Sequence, residues 1–445
     1  MKRNLLIISV VLGILASIQV HCELDEDWSQ VGSDNCRTFF SNTSIDENLK
    51  ILNQYPLGLG KQTHFCELFS PAVVKGRIYI LDVDNLYCLN LHTGELVYEV
   101  PAFTLYPYTP AIEHDKVYIA TERTVFSCLH TSTGEILWQR DLHNVDVTGP
   151  LFDEDTIYIT VDHFDSLDSY DPFLCEQRVP QWATLLALDS DTGEEIWRYS
   201  IHSTDYEKKC IGFPILVDGS ILFGVSYQLK DEYGFTLQGK TNLISLDART
   251  GTVQWEYENI FPFSPLDMGK IPFSLSYHDN NIFIGTNGKI ICLNKITHVI
   301  KWEHTLQSKW TLLSVGDNTV VIRIIDWVYA LDTDGGNIQW KVPIDGMSMH
   351  AMTKDDIFIG SDDGNLYRIS TESGHITESY HLGGFLYSTV VARDHVIVGT
   401  SEGKIYCLGP SFPYSIIIFS IILFLLLLGI ILIYKKTTGS CREDI

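Results

Sequence analysis

Two kinds of short apolar segment alternate along the middle of this chain. The first are runs of about five residues, rich in Ile, Val and Tyr, each entered from a Gly, Asn or Asp turn. They stand at Gly76–Ile80, Asp115–Ile119, Asp155–Ile159, Gly219–Phe223, Asn280–Ile284, Asn318–Ile322, Asp355–Ile359 and Asp394–Val398. The second are strands that close on one recurring phrase, a Thr-Gly turn with an aromatic four residues past the glycine. It reads Cys88-Leu-Asn-Leu-His-Thr-Gly94-Glu-Leu-Val-Tyr98, and recurs ending at Gly134 and Trp138, at Gly193 and Trp197, and at Gly251 and Trp255. Degenerate copies end at Trp302 and Trp340, and after Gly374 the aromatic is replaced by Glu378. Dipeptides such as Asp363-Gly364 and Glu402-Gly403 supply the left-handed residues of tight hairpins between the two kinds of strand. Short strands at roughly forty-residue spacing, with no amphipathic helix between them, suit four-stranded propeller blades. One blade alone exposes both faces of its sheet, and stacking around a ring buries them. The pattern predicts an all-β, eight-bladed propeller over residues 65–411.

The eighth unit stops at Pro410 without a Thr-Gly phrase. Its missing outer strand is expected from the N-terminal segment 23–64, best at Leu49–Leu57, because that pairing removes an exposed sheet edge. The phrase Ala187-x-Asp-x-x-Thr-Gly-x-x-x-Trp197 resembles in full the tryptophan-docking motif of pyrroloquinoline-quinone (PQQ) repeats. Ser245–Trp255 and Ala330–Trp340 each depart at one position, with Ser245 for the alanine and Gly335 for the threonine. On these residues the chain from Phe65 to Pro410 resembles the PQQ-like, quinoprotein alcohol dehydrogenase-like propeller superfamily.

That resemblance implies that Trp138, Trp197, Trp255, Trp302 and Trp340 are structural wedges between blades, with Tyr98 a weaker substitute. The superfamily holds enzymes and scaffolds, so fold alone does not give function. Its dehydrogenases hold PQQ against a vicinal Cys-Cys disulfide and coordinate Ca²⁺. This sequence has no Cys-Cys pair and no Cys-x-x-Cys-His haem motif. The expectation is a member closer to the non-enzymatic scaffolds, with no catalytic, cofactor or metal residues. A PQQ-dependent oxidoreductase is the alternative.

The ends of the chain place it in a compartment. Residues 1–22 carry Lys2 and Arg3 ahead of an apolar run, the form of a secretory signal peptide. Phe412–Tyr434 contains no charged residue and as a helix would span the roughly 30 Å hydrocarbon core. Lys435 and Lys436 follow, which predicts a type I single-pass protein with a cytoplasmic tail 435–445, at the plasma membrane or an endomembrane. The formal net charge is −25, and more negative still once the basic ends are set aside, which disfavours nucleic acid as a partner. An acidic surface equally serves solubility.

Of the 10 cysteines, Cys22 falls in the signal segment and Cys441 in the tail, leaving the others where disulfides form. Cys88, Cys128, Cys292 and Cys407 share one repeat position, taken elsewhere mostly by small residues, and read as buried thiols. Cys36, Cys66, Cys175 and Cys210 lie outside the repeat, and the pairs Cys36–Cys66 and Cys175–Cys210 are expected, though sequence alone leaves connectivity open. Asn42-Thr43-Ser44 is an N-glycosylation sequon in an apparent exposed loop.

Spacing between successive turn glycines is widest on either side of Gly193. In a blade with strands A to D, the excess falls in Asp162–Thr184, His202–Phe213, Tyr227–Thr241 and Asn259–Ile271. All are B–C turns or D–A links and so emerge on one face, where long loops concentrate binding residues. Phe164, Tyr170, Phe173, Trp182, Tyr233, Phe235, Phe261 and Phe263 form a candidate binding face for a protein or peptide, with neutral loop drift an equally good account and a sugar-binding module as a further class. Acids at Asp162, Asp165, Asp168 and Asp171 match no defined Ca²⁺ loop, and Asp189 and Asp332 read as turn-capping carboxylates. No nucleophile–base or phosphate-loop pattern stands out.

Overall fold

In a computed structural model, eight antiparallel sheets follow one another along the chain and close into a ring, an eight-bladed β-propeller. The structure describes residues 34, 40–45, 49–56, 70–81, 84–102, 109–122, 124–143, 145–147, 150–163, 182–202, 207–230, 236–263, 274–286, 289–306, 311–346 and 348–410. The segments expected as signal peptide and membrane span, and Cys36, Cys66 and Cys175, lie outside these residues. Among the described residues no helix is long and apolar enough to cross a membrane.

Blade 6 shows the plan. Leu312–Val315 lies innermost, then Thr319–Ile324, Trp327–Asp332 and Ile338–Pro343 at the rim, each paired with the next. Every residue of Thr319–Ile324 is buried, because both faces of the second strand meet neighbouring blades, whereas the rim strand is largely exposed. The apolar clusters accordingly lie between blades rather than within them. One joins Cys128 and Trp138 of blade 2 to Leu186 and Leu188 of blade 3, and another joins Val321 and Trp340 of blade 6 to Ile357 and Ile369 of blade 7. The A–B and C–D turns emerge on one side of the ring, hereafter the turn face. The B–C turns and D–A links emerge on the other, the link face.

The repeated phrase builds each interface. Asp189 Oδ1 accepts the N–H groups of Asp191 and Thr192, Asp332 Oδ1 accepts that of Gly335, and Asn90 and Asp247 cap their turns likewise. These hydrogen bonds hold the carboxyl groups of Asp189 and Asp247 below their ordinary range. The turn then needs a left-handed residue, and Gly94, Gly134, Gly193, Gly251, Gly336 and Gly374 take φ between 69° and 72°. A second constraint also demands glycine. The aromatic of the preceding blade lies flat over it, so a Cβ on Gly251 would come within 2.5 Å of the Trp197 ring and one on Gly374 within 2.6 Å of Trp340.

The indoles also donate across the interface. Trp138 Nε1 reaches the Ser190 carbonyl at 3.0 Å, Trp197 that of Ala248 at 2.9 Å, Trp302 that of Thr333 at 3.0 Å and Trp340 that of Thr371 at 2.8 Å. Tyr98 covers Gly134 but its hydroxyl finds no partner, and Arg77 donates to the equivalent Thr131 carbonyl instead, at 2.7 Å. In blade 5 His298 stands in place of the turn glycine, left-handed at φ 55°, and the Trp255 ring lies tilted against its imidazole with centroids 4.4 Å apart.

Closure uses the N-terminal segment. Leu49–Pro56 pairs antiparallel with Lys404–Pro410 as the outer strand of blade 8, at the place expected for it. From this strand Tyr55 covers Gly94 of blade 1, and its hydroxyl donates to the Leu91 carbonyl at 3.2 Å. It thus does for the last interface what the tryptophans do elsewhere.

The broken seventh phrase has a cause in the same geometry. Glu378 would have to cover the C–D turn of blade 8, where the chain instead leaves the ring at Pro410 and re-enters at Leu49. With no glycine to cover, Glu378 receives Arg368 Nη1 at 3.4 Å. Arg368 also pairs with Asp356 at 2.6 Å and donates to the Ile45 carbonyl at 2.9 Å. The segment leading to the closing strand is further held beneath blade 7. Phe40–Ser41 adds a short parallel strand to Met352–Thr353, and Ser44 Oγ donates to Asp355 at 2.7 Å. Asn42 in this segment is exposed.

Two outcomes follow from this packing. Tyr55→Ala should lower the unfolding free energy by about 3–5 kcal/mol in urea titration and Tyr55→Phe by about 1 kcal/mol, since only the hydrogen bond is lost. The second concerns His350, wholly buried on the inner strand of blade 7, with Nε2 sharing a hydrogen bond with Ser314 Oγ at 2.7 Å. Burial, helped by the charge of Arg323, pushes its imidazole from 6.5 down to about 3. The unfolded chain therefore binds a proton that the folded one refuses, and stability present above pH 6.5 is lost as pH falls. Stability should fall by up to about 1.4 kcal/mol per pH unit below that point, and His350→Gln should remove this part of the slope in denaturation curves measured down to pH ~4.

Candidate functional site

The link face differs most from a plain propeller at blades 3 and 4. Strands in blades 5 and 6 are mostly 6 residues long, but the three outer strands of blade 4, Ser220–Lys230, Thr236–Asp247 and Val253–Phe263, run to 11, 12 and 11. The extra residues pair with one another, Tyr227 with Lys240 and Thr241 with Phe261, and Glu207–Ile211 adds a strand along Val225–Leu229. Segments expected to be loops are thus partly a continuation of the sheet. At about 3.3 Å per residue it rises some 15 Å above the ring. Ile211 at its root packs with Ala183 and Ile201 of blade 3, which braces the extension sideways.

Beside that root, cross-strand register lines up three rings on blade 3. His163 stands opposite Trp182, and Trp182 opposite His202. The Trp182 indole stacks on His163 with centroids 4.8 Å apart and lies 6.2 Å from His202, half-buried. Burial pushes the His163 imidazole below its ordinary value, against the attraction of Asp162. On the extension, Lys240 Nζ sits 4.8 Å from the centre of the Tyr227 ring, a cation–π pair between neighbouring strands. Further round the link face, Phe213, Ile325 and Phe385 are exposed.

Blades 6 and 7 carry charge here instead. Arg323, only 1% exposed, donates to the carbonyls of Ile344 and Gly346 and so ties the D–A link to the B–C side of blade 6. Burial lowers its pKa to about 10, opposed by Asp362, Asp345 and Asp326, which are exposed above it. Asp363 caps the neighbouring turn, accepting the Tyr367 hydroxyl at 2.6 Å and the Asn365 N–H at 2.9 Å.

Of the residues expected on the binding face, Trp182 lies in this surface, and Phe261 and Phe263 lie on the outer strand of the extension opposite Thr241 and Gly239. Phe164, Tyr170, Phe173, Tyr233 and Phe235 lie outside the described residues. Cys210 pairs with Ser226 in the added strand, while its expected partner Cys175 is outside the described residues. His202, Tyr227 and Lys240 were not singled out in the sequence. Only strand register brings them to the indole and to one another.

The described residues do not fit a quinone–Ca²⁺ centre. Cys88, Cys128, Cys292 and Cys407 are buried free thiols, one to a blade, three of them opposite Tyr98, Trp138 and Trp302. Burial raises all four, and those of Cys128, Cys292 and Cys407 reach about 12, so they pack as small apolar groups. Among the described residues no three His, Cys, Asp or Glu side chains converge as metal ligands. Asp162 of the spaced acids is buried; Asp165, Asp168 and Asp171 lie outside the described residues.

Known proteins place this architecture. BamB from Moraxella catarrhalis superposes with a TM-score of 0.58 at 14% identity, covering 82% of this chain and 100% of that one. Quinohemoprotein alcohol dehydrogenase from Comamonas testosteroni gives 0.65 at 13% identity, covering 89% and 83%. The computationally designed Ika8 protein gives 0.55 at 16%, covering 77% and 96%. At these identities the likeness is one of fold. No curated protein sequence matches the chain significantly. The profile of one family matches residues 179–380 and 324–411, which together make up more than half of the sequence. The chain therefore belongs to the PQQ-repeat propeller family described as outer membrane protein assembly factor BamB.

Proposed function

We propose that this protein is a non-catalytic scaffold, tethered to a membrane with its propeller outside the cytosol, that holds a protein or peptide partner against the link face at blades 3 and 4. The observation that carries the reading is the braced sheet extension of blade 4 beside the His163–Trp182–His202 row. It presents aromatic and amphipathic side chains from strands rather than loops, so little order has to be created on binding. Half-buried tryptophan and tyrosine are the usual anchors of protein interfaces. The family description, an assembly factor, is that of a protein acting on other proteins and supports the same class of partner.

The tether belongs to the same proposal. Residues 1–22 direct secretion, Phe412–Tyr434 spans the bilayer, and the oxidising compartment permits Cys36–Cys66 and Cys175–Cys210 disulfides and a glycan on exposed Asn42.

Photo-crosslinking tests the choice of face. A photoreactive residue at Lys240 should capture a defined partner that the same residue at Lys116, on the turn face, does not. Trp182→Ala should weaken that partner's binding by about 2 kcal/mol, roughly 30-fold. Identical adducts from both positions, or an unchanged affinity, would remove the link face from consideration.

A further inference from the structure

Strand direction settles on which side of the ring the chain leaves it. In blade 8 the strand Leu386–Ala392 runs from the link face to the turn face, His395–Thr400 returns, and Lys404–Pro410 runs back down. Pro410 therefore lies at the turn face, level with Leu49, its partner in the ladder. A single residue, Ser411, separates it from the uncharged segment Phe412–Tyr434. One residue spans less than about 4 Å, too little to carry the chain round the ring to its other side.

An independent feature marks the same rim. Two residues past the turn glycine, the outer strands of blades 1, 2, 4, 6 and 7 repeat an aliphatic side chain that faces solvent, and blade 3 has Glu195 there. Leu96, Ile136, Val253, Ile338 and Ile376 are between 44% and 53% exposed. They form a collar beside the turn face, whereas the corresponding rim on the link face ends in residues such as Asp141, Pro343 and His381. Aliphatic groups on the same side of the propeller as the chain's exit point fit the boundary between headgroups and acyl chains, where their burial contributes about 25 cal/mol per Å².

We propose that the ring stands on the membrane surface turn face down, its aliphatic collar in the bilayer interface, and that the blade 4 extension consequently points away from lipid. The proposal rests on the reading of Phe412–Tyr434 as a membrane span. It fixes the kind of partner that the link face takes: a soluble protein, or the part of another membrane protein that stands clear of the bilayer, rather than a lipid or a membrane-embedded segment.

Depth-dependent fluorescence quenching tests it. The full chain is reconstituted into neutral phosphatidylcholine vesicles containing brominated acyl chains, with one environment-sensitive fluorophore replacing Ile136 or Ile376 on the collar, or Asp326 or Asp362 on the link face. Collar labels should lose at least half of their emission relative to unbrominated vesicles, and link-face labels less than a tenth. Retention of the chain on vesicles after alkaline carbonate extraction, with both label sets unquenched or with the link-face set quenched, would overturn the orientation while leaving the anchor standing. Release of the chain by carbonate would overturn the anchor and the orientation together.

Discussion

The structure depends on one contact repeated around the ring: an aromatic ring laid over a residue that has no side chain. Each turn glycine is required twice, once because its backbone is left-handed and once because the neighbouring blade's ring occupies the space of a Cβ. The same contact brings an indole N–H to the turn carbonyl three residues earlier, so a buried acceptor is satisfied from the next blade rather than from its own. Large apolar area, backbone conformation and a hydrogen bond are therefore lost or gained together. The coupling explains why the seventh copy could decay to Arg368 and Glu378. Where no turn lies next door, the aromatic has nothing to cover, and the vacated column was turned to holding the incoming chain through the Ile45 carbonyl.

How much of this was legible in the sequence follows from how local each signal is. The blades were readable because Thr-Gly-x-x-x-Trp carries turn, strand and wedge in one short phrase. Leu49–Leu57 was readable as the closing strand because the eighth unit visibly lacks one, and the paired segment is Leu49–Pro56. Tyr55 was not readable as the eighth wedge, since it lies outside any phrase and acts through a partner, Gly94, that pairing alone brings near. Nor was the blade 4 extension. Gly234 and Gly239 interrupt the alternation of Tyr227–Thr241 in the sequence, and what holds Ser220–Lys230 and Thr236–Asp247 as strands is their neighbours across the sheet. His163 and Trp182 are separated along the chain by a length of sequence that hides their register, although Trp182 and His202 are the two ends of one hairpin.

The likeness to dehydrogenases and to an assembly factor is the same likeness, because both are statements about blades and wedges. Chemistry has to be argued from side chains. The thiols that a quinone centre would recruit are here spread one to a blade, with burial holding them protonated. Among the described residues of the link face, Arg323 fastens a link and Asp363 caps a turn. Among the described residues this face offers half-buried Trp182 and Tyr227 on strands, with Phe213, Phe385, Asp326, Asp345 and Asp362 exposed in its turns and links.

Closure and attachment meet in a single blade, and the arrangement bears on how the ring withstands a load. In the proposed attachment, force from the bilayer enters at Pro410 along the axis of Lys404–Pro410. That strand is bonded on both sides, to His395–Thr400 and to Leu49–Pro56. A pull along a strand's own axis loads its ladder bonds in parallel rather than one after another, so no single bond has to bear the load in turn. The strand most exposed to peeling is Leu49–Pro56, which has a sheet partner on one side only. It is the one secured at both ends, by Tyr55 over Gly94 and by the segment whose Ile45 carbonyl is held by Arg368. These two departures from the repeat, one in blade 8 and one in blade 7, thus reinforce the place where the two ends of the ring meet.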